Sequence, residues 1–295
     1  MTTAQTPQVP QIALSNDVVI PQIGFGTYMI PPDDTQRAVE EALEMGYTHI
    51  DTAAAYYNEE GVGKALAATG LAGKVFVTTK LRNFQHGHDA TLAGFDESMK
   101  LLGLDTLDLY LMHWPVPSQG LYVETWQAMV ELQQEGRVRA VGVSNFLPEH
   151  LAAAIDATGV APTVNQIEVH PTFQQPATQK ASIDAGAAIE AYSPLGHGAD
   201  LGNAEIAQIA DRLGLTPAQV ILRWHIQAGR IVIPKSVHPE RMRQNLEVPD
   251  VILTDADMAA IDALDSPDGR TGGDPATMDF KQDPADFQAR MESGS

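Results

Sequence analysis

At 295 residues, with 44% hydrophobic and 19% charged side chains, the chain can bury a large core and fits either two ordinary domains or one large barrel. No apolar run approaches the roughly 20 residues that span a bilayer, and the absence of cysteine removes disulfides, thiolate nucleophiles and cysteine-ligated metals. A formal charge of −20, spread along the chain, disfavours nucleic acid and anionic membranes, and any anionic ligand must meet a locally basic pocket.

Residues 1–9 have neither a positive start nor an apolar stretch of signal-peptide type, so they are read as a disordered lead-in, with the cytoplasm as the default compartment. Two apolar runs, 12–14 and 18–20, flank a polar turn and predict a short hairpin that caps another element. An extended run follows at 23–28, where Gly24 and Gly26 allow a backbone or ligand to come close. The chain then alternates: strands over 47–51, 75–80, 107–113, 138–144, 163–168, 188–193 and 230–235, with helices over 34–45, 59–68, 89–102, 123–135, 148–157, 176–185, 204–213, 217–227, 239–246 and 255–264. Counting the run at residue 23, eight extended segments are each followed by helix, which predicts a (β/α)₈ TIM barrel. A doubly wound open sheet would also alternate, but the Gly-x-Gly-x-x-Gly fingerprint of its dinucleotide site is missing after Gly26. One domain over 10–270 is expected, with a polar, Gly/Pro-rich tail over 271–295.

A barrel of this kind works at the C-terminal ends of its strands. The polar residues that end the apolar runs are Asp51, Lys80, His113, Ser144 with Asn145, Gln166 with Glu168, Tyr192 with Ser193, and Lys235 with Ser236. Each alone has a plain structural explanation, such as a helix cap or a hydrogen-bonded core histidine. Together with Tyr56 they bring an acid, a base, a phenol and an imidazole to one rim, which is a proton-donor assembly. Lys80, held by Asp51, is expected to favour the Tyr56 phenolate and so ease proton transfer near neutral pH. A carbonyl oxygen beside Tyr56 and His113 would be polarised and protonated, and with no nucleophile present such a site requires a hydride source. Ser144, Asn145 and Gln166 offer what a carboxamide needs, Tyr192 a face for stacking, and Lys235, Ser236 and Arg241 a basic cluster near a helix start suited to phosphate.

The motifs Asp51-Thr-Ala-x-x-Tyr56-x-Asn58-Glu59, Thr79-Lys80-Leu81, Leu111-Met112-His113-Trp114-Pro115, Gly142-Val143-Ser144-Asn145-Phe146, Asn165-Gln166-x-Glu168-x-His170-Pro171, Tyr192-Ser193-Pro194-Leu195 and Ile233-Pro234-Lys235-Ser236 stand in one order along nearly the full chain. In these the chain resembles the aldo-keto reductases, most closely the bacterial branch of 2,5-diketo-gluconate reductases. The resemblance implies an Asp51, Tyr56, Lys80, His113 tetrad with Tyr56 as general acid in carbonyl reduction by NADPH, NADH being the alternative. It implies nicotinamide contacts from Ser144, Asn145, Gln166 and Tyr192, and pyrophosphate contacts around Ser193 and Leu195. Gly26, Thr27 and Val237 are further cofactor positions, and Lys235, Ser236 and Arg241 would meet the phosphate that distinguishes NADPH. Gln244 stands where a glutamate is common before the adenine-reading Asn245.

Tyr28, Tyr57, Trp114 and Phe146 are expected as an aromatic substrate rim, with 269–280 as a lid. The expected partner is a small carbonyl compound such as a keto-sugar or α-dicarbonyl, with no nucleic acid, membrane or metal, and a monomeric chain. Two other readings compete: a cofactor-binding redox sensor with incidental turnover, and an isomerase or aldolase. The latter conflicts with the absence of phosphate-loop glycines after the seventh strand.

Overall fold

The computed structural model describes residues 9–293, so the lead-in expected over 1–9 lies, apart from Val9, outside the described residues. The predicted hairpin forms from β1 (Gln11–Ala13) and β2 (Val19–Pro21), antiparallel with Ile12 opposite Ile20. What it caps is the bottom of the barrel: Leu14 and Ile20 pack against Phe76, Leu109, Leu111, Ala140, Val164 and Ile231.

The eight predicted strands are present as β3 (Phe25–Gly26), β4 (His49–Asp51), β5 (Phe76–Leu81), β6 (Leu107–Met112), β7 (Val138–Ser144), β8 (Val164–Glu168), β9 (Ala188–Tyr192) and β10 (Ile231–Val232). They pair in parallel in chain order. The two ends also meet, because Ile23 and Val232 form a parallel bridge, Gly24 N donating to Val232 O at 2.8 Å and Val232 N to Gln22 O at 2.9 Å. The sheet thus closes into the expected (β/α)₈ barrel.

Strand periodicity places the chemistry. Alternate residues of each strand share a face, and the inner face becomes polar from bottom to top. Phe76 is followed by Thr78 and Lys80, Val164 by Gln166 and Glu168, Ala188 by Glu190 and Tyr192, and His49 by Asp51. Apolar residues at the bottom meet the hairpin, while the polar ones lie at mid-barrel and at the mouth. The intervening residues, among them Ile50, Val77, Tyr110, Val141, Ile167 and Ile189, pack outward with the helices in the main core. Each such side chain contributes about 1.5–3 kcal/mol by leaving water.

The helices are α1 (Pro32–Met45), α2 (Glu59–Thr69), α3 (His88–Leu102), α4 (Tyr122–Gln134), α5 (Pro148–Thr158), α6 (Pro176–Asp184), α7 (Ala204–Leu213), α8 (Pro217–Gln227), α9 (Pro239–Leu246), α10 (Asp255–Asp262) and α11 (Pro284–Ser293). Proline at the first position marks α1, α5, α6, α8, α9 and α11, where the missing N–H would in any case find no helical partner. Gly46 ends α1 at φ 105°, donating to Ala42 O and Leu43 O, a conformation that costs a side-chain-bearing residue steric strain. Thr216 starts α8 as half of a capping box with Gln219, the sort of cap whose loss costs about 1 kcal/mol.

Past α10 the chain crosses the mouth. Ser266 N donates to Thr172 O at 3.1 Å, and Thr271 N and Gly272 N donate to the two carboxylate oxygens of Glu168 at 2.6 and 2.9 Å. The strap passes Trp114, whose ring lies 6.3 Å from Phe280, and ends in α11, where Phe287 sits 5.2 Å from the ring of Tyr57. The tail therefore covers the mouth, as expected, but it is not simply an irregular segment: α11 was not anticipated. Its signal is Asp283-Pro284, a side chain that accepts from Ala285 N at 3.0 Å followed by a first-turn proline.

Candidate active site

Lys80 is fully buried, and its ammonium meets three acceptors, Asp51 Oδ1 at 2.7 Å, Thr52 O at 2.8 Å and Tyr56 OH at 3.4 Å. Three protons and three acceptors satisfy an ammonium that burial alone would not tolerate. Tyr56 closes the 3₁₀ turn Ala54–Tyr56 directly after β4, which is how it comes to stand over the end of β5. The rings of His113 and Tyr28 lie 5.7 and 5.1 Å from it. Gln282 Nε2, a donor only, lies 3.2 Å from His113 Nδ1. In the neutral imidazole this puts the remaining proton on Nε2, leaving that nitrogen as a donor.

The electrostatics correct one expectation. Burial, then the Asp51 carboxylate, hold the Tyr56 phenol well above its ordinary range. Lys80 lies closer to Asp51 than to Tyr56 OH, and burial outweighs its pull on the phenol. The phenol keeps its proton, and the site holds a proton donor at rest. Asp51 is itself pushed up by burial, against the opposing pull of Lys80 and Gln166.

Below the tetrad is a buried layer that the sequence reading left out. Gln166 Nε2 donates to Asp51 Oδ2 and to Glu190 Oε2, each at 2.9 Å. The other oxygen of Glu190 lies 3.7 Å from His49 Nε2. Burial lowers His49 to about 3, so this contact is not an ion pair at neutral pH. The signal for Glu190 was its place two residues before Tyr192, on the inward face of β9.

On the side expected to hold the nicotinamide, the polar residues lock one another. Ser144 Oγ donates to Gln166 O at 2.8 Å, Asn145 Nδ2 to His113 O at 3.0 Å, and Tyr192 OH to Asn145 Oδ1 at 2.9 Å. Asn145 holds φ 63°, a strained backbone for a residue with a side chain. After Tyr192 the chain turns through Ser193, whose Oγ lies 3.1 Å from His197 Nε2, and Leu195, which packs against the core. Gly196 is required here: a Cβ would stand 2.7 Å from Asp200 Oδ2 and 3.0 Å from His170 Nδ1.

At the closure of the barrel, a Cβ at Gly26 would stand 2.7 Å from Ile233 O and 3.7 Å from Lys235 Cβ, so glycine lets the two chain segments approach. Thr27 Oγ1 is buried with no hydrogen-bond partner among the described residues. Among the described residues neither Lys235 nor Arg241 has an ion-pair partner, whereas Lys80, Arg82, Arg137, Arg139 and Arg212 each have one. Ser236 is buried and its Oγ accepts from His238 N at 3.1 Å, just before α9; Val237 packs against the core. On α9, Gln244 is exposed and Asn245 is buried. An orphaned hydroxyl, two uncommitted cations and a locked set of amides and hydroxyls suit a nicotinamide nucleotide phosphate.

Of the expected substrate rim, Tyr28 lies against Tyr56, Tyr57 OH donates to Gln282 O at 3.0 Å, and Trp114 packs with Val116, Met278 and Phe280. Phe146 is a correction. It has no exposed surface and lies in the main core, 5.9 Å from Tyr122 and 5.8 Å from His150, because the chain past Asn145 turns its side chain under α5 and not into the mouth. Phe280 ends the segment expected as a lid, and Gln282, two residues further on, stands where sequence reasoning had no residue to offer. Among the described residues, no helix is long and apolar enough to cross a membrane.

A model of the aldo/keto reductase family matches residues 22–266. An aldo-keto reductase of Mycobacterium sp. (strain KMS) is 50% identical over 273 residues, covering 92% of this chain and 98% of that protein. Methylglyoxal reductase DkgA of Escherichia coli is 44% identical over 269 residues, covering 90% and 96%. Among solved structures, a mutant of Gox0644 in complex with NADPH matches with a TM-score of 0.89 at 49% identity, covering 92% of this chain and 100% of that one. With a family model over most of its length and relatives that span nearly all of it, the chain belongs to the aldo/keto reductase family and is an NAD(P)H-dependent carbonyl oxidoreductase.

Proposed function

We propose that this chain reduces a small aldehyde or α-dicarbonyl compound to the alcohol with NADPH, Tyr56 giving the proton. The observation that carries this reading is the fully paired Lys80, bonded to Asp51 and reaching Tyr56 OH beside His113 at the floor of a covered mouth. NADPH would supply the hydride that reaches the carbonyl carbon. Lys235 and Arg241 suit its additional phosphate, and Ser144, Asn145 and Gln166 its carboxamide.

His113 Nε2–H orients and polarises the substrate oxygen. As negative charge develops there, Tyr56 passes its proton to that oxygen, and Lys80 becomes the nearest cation to the phenolate left behind. The high proton affinity of the buried phenol at rest suits this order of events, because the proton moves only to an oxygen that is becoming an alkoxide. The strap supports a small substrate: Gln282 and Phe280 occupy space above His113 and Trp114. The relative named methylglyoxal reductase supports an α-dicarbonyl.

The test follows consumption of reduced nicotinamide with methylglyoxal, simple aldehydes and keto-sugars, using NADPH and NADH in parallel. Turnover with NADPH is expected on at least the smallest α-dicarbonyl. Tyr56→Phe is expected to lower the rate by about 10²–10⁴-fold, the worth of a general acid, with cofactor binding intact. Inertness toward the whole panel, or a Tyr56→Phe variant as active as the parent, would sink the reading.

A further inference from the structure

Glu190 lies in the middle of β9, fully buried and in register with Gln166 of β8. Both protons of the Gln166 carboxamide nitrogen are consumed below the site, one by Glu190 Oε2 and one by Asp51 Oδ2. An amide nitrogen donates twice and accepts nothing. Turning the carboxamide over would take its N–H away from Glu190 Oε2 and set its oxygen against the Asp51 carboxylate. Asp51 alone would hold the nitrogen by one bond; the pair holds it by two. The carbonyl end of Gln166 is therefore the end left for a ligand at the mouth, where Ser144 and Asn145 sit on the neighbouring strand end.

We propose that Glu190 is a positioning residue that, with Asp51, fixes the orientation of the Gln166 carboxamide and so makes the site select a nicotinamide ring carrying an N–H donor. This rests on the reading that Gln166 meets the cofactor carboxamide. Asp51 already has a task on Lys80, so the orientation of Gln166 falls to Glu190 as the one carboxyl group with no cation within bonding distance. His49 is its other close neighbour, and that ring is neutral, engaged with Thr78 Oγ1 at 3.1 Å. Burial and the Asp51 charge push Glu190 up to about 8, while Lys80 and the Gln166 hydrogen bond pull the other way. Oε2 of Glu190 accepts from Gln166 and so anchors the carboxamide beside the Lys80–Asp51 pair.

The experiment measures dissociation constants of apo-protein at pH 7 for NADPH and for its acetylpyridine analogue, in which a methyl ketone replaces the carboxamide and cannot donate. Quenching of tryptophan fluorescence is the readout, and thermal unfolding verifies that each variant is folded. Wild type is expected to prefer NADPH by about 2–10-fold, the worth of one neutral hydrogen bond. Glu190→Gln keeps an acceptor for Gln166 and is expected to keep that preference. Glu190→Leu removes the acceptor, lets the carboxamide turn, and is expected to bring the two constants within about 2-fold of each other. Glu190→Met, closer in shape to glutamate, is read in the same way if the leucine variant does not fold. A folded Leu or Met variant with the wild-type preference, or a Gln variant that has lost it, overturns the role of Glu190. A wild type that does not distinguish the two cofactors would instead overturn the reading of Gln166 itself.

Discussion

Lys80 and Asp51 cannot be considered apart. Both are buried, and removing one partner of a buried pair leaves an uncompensated charge at a cost of about 3–5 kcal/mol. Lys80→Met is therefore expected to lower the melting temperature as well as to slow reduction by at least about 100-fold, since Tyr56 would lose the cation that stabilises its phenolate after transfer. NADPH affinity is expected to stay within a few-fold, because the bonds of Lys80 among the described residues go to Asp51, Thr52 and Tyr56. Adding Asp51→Asn removes the stranded carboxylate and should restore much of the melting temperature without restoring the rate. Recovery of the rate in the double variant would show that Lys80 matters only as a counter-ion. These four side chains were legible because each ends an apolar run or follows one closely. Glu190 was not, since an acid inside a strand reads equally well as a solvent-facing residue. Phe146 was misplaced because a residue just past a strand end can turn to the mouth or to the core, and nothing in its neighbours decides which.

At the scale of elements, the helices were legible because proline opens and glycine closes many of them. The tenth helix is followed by a segment whose course depends on contacts distant in sequence. One cluster fastens that segment and the loop after β9 together. His170 lies 2.8 Å from Asp200 and 3.2 Å from Glu168, and Glu168 in turn accepts from Thr271 and Gly272 of the strap. Despite the opposing effect of burial, the two carboxylates raise His170 to about 9, and the hydrogen bonds lower Glu168 to about 2. The raised histidine stabilises the fold fully below its unfolded value near 6.5, and this is lost as pH rises through about 9. The lowered glutamate contributes above its unfolded value near 4.5, and this is lost as pH falls toward about 2. His170→Ala leaves two carboxylates facing each other without their cation. At pH 7 we expect a melting temperature lower by several degrees. Amide exchange should be faster in both 196–202 and 266–273, and the melting difference should shrink above pH 9. Faster exchange in only one of these segments would show that His170 does not join them.

For the whole molecule the consequence is that the barrel is closed at both ends by chain from its own termini. The hairpin seals the bottom with Leu14 and Ile20, and this seal is apolar. The mouth is covered differently, by hydrogen bonds and ring contacts: Asn83 N donates to Gln282 Oε1 at 2.9 Å, and Gln282 Nε2 lies 3.2 Å from His113 Nδ1. Gln282 holds φ 63°, so its backbone carries strain that these hydrogen bonds sustain. A carbonyl compound reaching Nε2 of His113 thus meets a ring held at its other nitrogen by a carboxamide belonging to the chain. Removing that hold frees the tautomer of the imidazole and should weaken its contact with the substrate by the worth of one neutral hydrogen bond, about 0.5–1.5 kcal/mol. Gln282→Ala is expected to lower kcat/KM for a small α-dicarbonyl by about 2–10-fold, with Tyr56 and Lys80 still in place. Steady-state rates over a range of substrate concentrations decide it. An unchanged or higher kcat/KM would mean that the imidazole keeps its orientation without Gln282.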